Sequence, residues 1–210
     1  IRDAAGASCK VEYATGCRLE ETGFVTVPAA ALGHYEIVKS DRKKFLEPVP
    51  RINEVPGLNA AYINSMSLTD TPALKRIDTT IDFRWTLFGP DPNVQPDFFS
   101  VVWEGLISAP EAGIIRLGIQ GNDGYRLYID RQLVLDTWND QGVHTRLASV
   151  DFSKRTTRLI RIEYHEPEGN SNFRLVWDAG VIDHQKQLEE DAVNSAGKSD
   201  AILFVAETKE

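Results

Sequence analysis

Aromatic rings beside short amide and carboxylate side chains in loops are the raw material of ligand sites, and this chain places two such groups close together. Asn122 and Asp123 lie in Gly121-Asn122-Asp123-Gly124, Tyr128 follows on the next run, and Trp138-Asn139-Asp140 opens a second loop that runs to His144. Tyr128 and Trp138 offer flat apolar faces for stacking on a ring. Asn122, Asp123, Asn139 and Asp140 offer donors and acceptors for hydroxyls, giving the mix of apolar platform and few polar groups that small-ligand sites use. The same residues also suit plainer duties, since Asn-Asp-Gly chemistry makes hairpin turns without any ligand and a Trp in a turn packs as readily as it binds. A third loop, Leu87 to Asp97, is stiffened by Pro90, Pro92 and Pro96. His34, His144, His165 and His184 are scattered without metal-ligand spacing, and Cys9 and Cys17 lack zinc-ligand company. With no Gly-x-Ser-x-Gly, phosphate-cradling, EF-hand or zinc motif, neither a metal nor a cofactor is expected.

Loops carry function when a rigid scaffold holds them, and the scaffold is written in the middle of the chain. Between about Gly57 and Asp178 apolar residues recur with period two: Phe99, Val101 and Trp103; Ile115, Leu117 and Ile119; Tyr125, Leu127 and Ile129; Ile160, Ile162 and Tyr164; Phe173, Leu175 and Trp177. Their neighbours Arg116, Arg126, Asp130, Arg161, Glu163 and Arg174 are expected to face solvent. Such alternation predicts an antiparallel sandwich or barrel, with Trp85, Trp103 and Trp177 in its core. The ends read differently. Cys9, Val11 and Tyr13 alternate like a strand before a Thr15-Gly16 turn. At the other end Leu188, Ala192 and Ala196 have helical spacing, Gly197 stands where a helix stops, and Ala201 to Val205 forms a continuous apolar strand. A mainly β fold is therefore expected, an antiparallel β-sandwich (57–178) inserted between two pieces of an α/β domain (1–28 and 179–210). Residues 29–56, with Pro48, Pro50, Pro56 and the charged run 39–44, are expected as a linker.

Composition narrows the partners. Hydrophobic residues make up 42% of the 210 positions and charged ones 26%, enough for a packed core. Twenty-three Lys and Arg against 31 Asp and Glu leave a net charge of −8, opposite to the basic footprint of a nucleic-acid or anionic-membrane binder, so neither partner is expected. No apolar run approaches the length of a membrane span, and no signal pattern is visible. The chain opens on Ile1 and stops soon after an apolar strand, which reads as a slice of something larger.

Five ordered blocks carry a family likeness. These are Gly57-Leu58-Asn59-Ala60-Ala61-Tyr62; Arg76-Ile77-Asp78 with Ile81-Asp82-Phe83-Arg84-Trp85; Phe99 to Gly105; Gly121 to Asp130; and Ile162-Glu163-Tyr164 with Leu175-Val176-Trp177. Together they resemble the protective-antigen fourteen-kilodalton module, a β-sandwich common in carbohydrate-active enzymes and adhesins. The family often carries paired acidic residues where this chain has Asn122-Asp123, a departure that weakens a calcium-lectin reading. The flanks resemble the second, α/β-sandwich domain of glycoside hydrolase family 3, whose β-glucosidase-like members sometimes carry this module as an insertion: Val11-Glu12-Tyr13-Ala14-Thr15-Gly16-Cys17 is similar to the family's V-x-Y-A-x-G-C strand and turn, and Ala192 to Val205 to the helix and strand that follow the insertion.

That resemblance implies an exo-acting, retaining glycosidase acting on a β-glucoside or related oligosaccharide, which needs two carboxylates about 5–5.5 Å apart. The nucleophile is expected on a preceding barrel, in the remaining domains of the same polypeptide, and the acid/base on the loop after Val205, where Glu210 is the better match and Glu207 the poorer; it can also lie just past the chain end. The 210 residues alone are then expected to be inactive, and the sandwich to shape substrate access. Two other readings stand beside this one: a non-catalytic, adhesin- or lectin-like carbohydrate-binding module, and a structural insert at a homodimer interface. The compartment stays open, with periplasm or secretion favoured over cytoplasm.

Overall fold

A computed structural model of the chain describes residues 10, 12, 23–37, 48–51, 55–86, 88–139, 142–180 and 184–201. The chain divides into two compact units, one made of Phe24–Gly180 and the other of the two end segments, Ile1–Gly23 with Val181–Glu210. In the end unit the described element is α1 (His184–Ala196). It stops where Gly197 was expected to stop it, with the Gly197 N–H donating to the Val193 carbonyl at 2.9 Å. The apolar run after Ala201 lies outside the described residues.

The larger unit is an antiparallel β-sandwich. Its strands are β1 (Val25–Thr26), β2 (Leu32–Ile37), β3 (Pro48–Arg51), β4 (Leu58–Ile63), β5 (Leu74–Asp78), β6 (Asp82–Trp85), β7 (Phe99–Ser108), β8 (Ile114–Gly121), β9 (Gly124–Ile129), β10 (Gln132–Asp136), β11 (His144–Asp151), β12 (Thr157–Glu166) and β13 (Ser171–Trp177). One sheet runs β13-β8-β11, with β1 and β6 sharing the outer edge of β13; the other runs β10-β9-β12-β7, with β2 and β4 sharing the outer edge of β7. All fifteen residues of the five alternating runs are buried between the sheets. Period two did this: successive side chains on a strand point to opposite faces, so one apolar face per strand closes the core.

Residues 29–56 are not the linker expected of them. A 3-10 turn at Ala29–Ala31, β2 and β3 lie in this span, and Leu32 and His34 are buried. Prolines and charges misled because β3 is an edge strand paired only with β2 among the described strands, and an edge tolerates residues that cannot donate to a ladder.

A ring cluster fills the centre. Trp103 stacks on Phe173 at 5.3 Å and on Phe83 at 5.9 Å, and Tyr62 meets it edge-on at 6.2 Å. One carboxylate sits among these rings. Asp78 accepts hydrogen bonds from the Tyr62 hydroxyl (2.6 Å), the Trp103 indole N–H (2.7 Å) and Arg76 Nε (2.6 Å), so the polar edges of two buried aromatics and one guanidinium converge on it.

Candidate functional site

The β8–β9 connection forms one end of the sandwich, and its conformation is imposed by close packing. Asp123 has φ +64°, in the left-handed region, and at Gly124 any Cβ would lie 2.1 Å from His165 Nε2 and 2.3 Å from the Trp138 carbonyl oxygen. Only glycine lets those two groups approach; His165 Nε2 and the Trp138 carbonyl are hydrogen-bonded at 2.9 Å. Asn122 is saturated by the fold. Its Oδ1 accepts the Asn172 N–H (2.6 Å), and its amide donates to the Asn170 carbonyl (2.8 Å) and to Asp123. It therefore clamps the turn to the segment entering β13 and has little capacity left for a ligand.

Asp123 meets Glu166, the last residue of β12, carboxyl to carboxyl. Glu166 is buried; its Oε2 accepts the Tyr164 hydroxyl at 2.6 Å, and Oε1 has no donor from the protein. Two carboxyls bond only if one carries the proton. Burial, with Asp123 adding to it, pushes Glu166 up to about 7, and burial raises Asp123 as well, against the opposing pull of Glu166, His165 and Asn122. Because Glu166 is raised from 4.5, the native state holds a proton that the unfolded chain has already released between about pH 4.5 and 7. Its contribution to stability is full below that window and is lost as pH rises through it, by roughly 3 kcal/mol at most. In Glu166→Gln the amide donates to Asp123 at every pH, so urea midpoints at pH 5 and pH 8 should fall more for the native chain than for the variant; parallel shifts would contradict the shared proton.

Trp138 is half-buried, with its ring edge against His165 (4.4 Å) and the Arg126 guanidinium 4.4 Å over its face. Asn139 is exposed beside it, while Asp140 and Glu210 lie outside the described residues. Tyr128 is set apart from this cluster, on the outer face of the second sheet. Its hydroxyl donates to Glu163 Oε2 at 3.3 Å. Arg126 links the two places through a chain of alternating charge: Asp136 to Arg126 (3.3 Å), Arg126 to Glu163 (3.7 Å), Glu163 to Arg161 (2.8 Å) and Arg161 to Glu104 (2.5 Å). Glu163, expected in solvent, is buried beneath these partners. Alternation names the face a residue occupies, not what covers that face.

Sequence reading missed Glu166, although a signal for it existed: it stands at the next inward step after Ile160, Ile162 and Tyr164, where an acid is out of place unless it has a function or a proton. Among the described residues no group of three or more His, Cys, Asp or Glu side chains is placed to hold a metal ion.

The model of the PA14 domain family matches residues 54–192, well over half of the chain. The chain belongs to the PA14 domain family. Similar proteins carry this domain in different settings. The anti-sigma-I factor RsgI3 of Acetivibrio thermocellus is 28% identical over 123 residues, which are 59% of this chain and 19% of that protein, so the chain spans under a fifth of the curated relative it matches. An anti-sigma factor domain-containing protein from Clostridium clariflavum is 30% identical, with a TM-score of 0.54 over 59% of this chain and 42% of its own. A β-glucosidase from Kluyveromyces marxianus is 17% identical with a TM-score of 0.57, and there the likeness covers 91% of this chain and 24% of that one. At that identity the fold alone is shared.

Proposed function

We propose that the chain is a segment of a family 3 glycoside hydrolase, β-glucosidase-like, exo-acting and retaining, in which the PA14 unit interrupts an α/β sandwich domain and shapes access of a β-glucoside or related oligosaccharide to the active site. One observation carries this reading. The likeness to the β-glucosidase extends over 91% of the chain, beyond the PA14 unit, whereas the likeness to the anti-sigma proteins covers 59%. The V-x-Y-A-x-G-C resemblance at Val11–Cys17 points the same way. On this reading Glu210 is the candidate acid/base, the nucleophile belongs to another domain of the same polypeptide, and Asp123, Tyr128, Trp138, Asn139 and Asp140 are candidates for contact with saccharide.

A second reading, a non-catalytic carbohydrate-binding PA14 module, is favoured by the 28% and 30% identical relatives, which are named for anti-sigma factors and not for hydrolases. Activity separates the two. The parent polypeptide should hydrolyse p-nitrophenyl β-glucoside with retention of anomeric configuration, while the 210-residue chain hydrolyses none, since retention needs both carboxylates. A parent inactive on a panel of aryl β-glycosides would overturn the hydrolase reading.

A further inference from the structure

On the outer face of the second sheet lies a groove of about 430 Å³, within the range of small-ligand sites. It is lined by Tyr35, Glu104, Tyr128, Arg131, Arg161 and Glu163 among others. Long-range register builds it. Tyr128 lies opposite Arg161, and Arg161 opposite Glu104. Beyond Gly33, β2 leaves the edge of β7 because β4 takes that edge, Asn59 opposite Glu104. The Asn59 amide holds the departing strand by donating to the Tyr35 carbonyl at 3.1 Å, which sets the Tyr35 wall. Gly105 permits this branching, for a Cβ there would lie 2.2 Å from the Gly33 carbonyl oxygen.

We infer that this groove binds a neutral oligosaccharide, with Arg131 as the residue that fixes its orientation. The inference rests on the carbohydrate reading above. The floor is the alternating chain of charges, in which Glu104, Glu163 and Arg161 each already have a partner of opposite sign. A ligand that sets charge on this floor would have to break a pair, whereas hydroxyls, donors and acceptors at once, use the remaining lone pairs and N–H groups. Burial raises the pKa of both Tyr35 and Tyr128, so both phenols stay neutral, and the Tyr128 hydroxyl, its proton given to Glu163, offers its oxygen as an acceptor beside a ring face. From β9 to β2 the groove crosses three strand spacings, about 14 Å, longer than one six-membered ring.

Arg131 is the sharpest sign of a ligand. With Asp130 it makes the two-residue turn between β9 and β10, at φ +46° and +67°, where glycine is favoured at the second position. Asp130 has a structural reason to be there, since it accepts the Leu159 N–H (2.9 Å), Arg158 (2.6 Å) and Arg155 (2.7 Å). For Arg131, no side-chain hydrogen bond or ion pair holds it among the described residues, and the residue lines the groove. Its five N–H donors can serve two adjacent hydroxyl oxygens of a sugar at once.

The test titrates the isotope-labelled 210-residue chain with cellotriose and, separately, laminaritriose, following amide shifts, alongside Arg131→Gly. Supporting results are saturable shifts centred on Tyr35, Glu104, Tyr128, Arg131 and Arg161 with at least one sugar, binding weakened about tenfold in Arg131→Gly, and a melting temperature unchanged or raised in that variant because glycine relieves the left-handed turn. Shifts confined to Asn122–Gly124 and Trp138 would overturn the groove and leave the carbohydrate reading standing. An absence of shifts with both sugars would overturn the groove, and hydrolysis by the parent would still decide the function independently.

Discussion

Replacing Asp78 by alanine is expected to destabilise the PA14 unit by about 3–5 kcal/mol, the largest effect of any single polar substitution in the fold. The side chain is 5% exposed and takes three short hydrogen bonds at once. Its removal leaves the Trp103 N–H and the Tyr62 hydroxyl proton facing apolar surroundings, and Arg76 loses its carboxylate. Tyr62 does not adapt by ionising, because burial, the first cause of its raised pKa, remains when Asp78 is gone. Asp78→Asn should fall between, since its single acceptor oxygen can serve Trp103 and Tyr62 while its amide group confronts Arg76. Tyr62→Phe alone should cost about 1 kcal/mol and cost much less in the Asp78→Ala background, where the hydroxyl has already lost its acceptor. Urea unfolding followed by tryptophan fluorescence reads all four variants against the native chain. A loss below about 1 kcal/mol for Asp78→Ala would show that water enters and replaces the carboxylate.

How much of this could be read from residues alone follows from the range of each interaction. The five alternating runs fold as their period dictates, every apolar member buried, because strand alternation is local and needs no knowledge of partners. The block Arg76-Ile77-Asp78 was legible as a family signature, but its purpose was not, since Asp78 serves Tyr62 and Trp103, 16 and 25 residues away. Asn122-Asp123-Gly124 was legible as turn chemistry, and the structure spends Asn122 on that turn; Asp123 gains its interest only from Glu166 on another strand. The groove was invisible for the same reason. Its residues come from β2, β7, β9, β12 and the β9–β10 turn and meet through register, and Tyr35 sits in a segment that prolines and charges disguised as a linker.

The second large effect concerns the whole unit and tests the central claim, that the sandwich governs which saccharides reach the active site. Excision must span Phe24–Gly180, because removing 57–178 alone would leave β1 and β2 without β13 and β7 to pair with. With a Gly-Ser linker in its place, the parent enzyme should keep its turnover of p-nitrophenyl β-glucoside, whose small leaving group asks little of the surroundings. A wall beside the substrate acts through differential transition-state binding, and a few lost contacts or clashes are worth about tenfold or more in specificity. The measurement is therefore the ratio of kcat/KM for cellopentaose to that for cellobiose, in the parent and in the excised enzyme. The account predicts a change of about tenfold or more in that ratio, and an unchanged ratio with full activity on the aryl glucoside would contradict it.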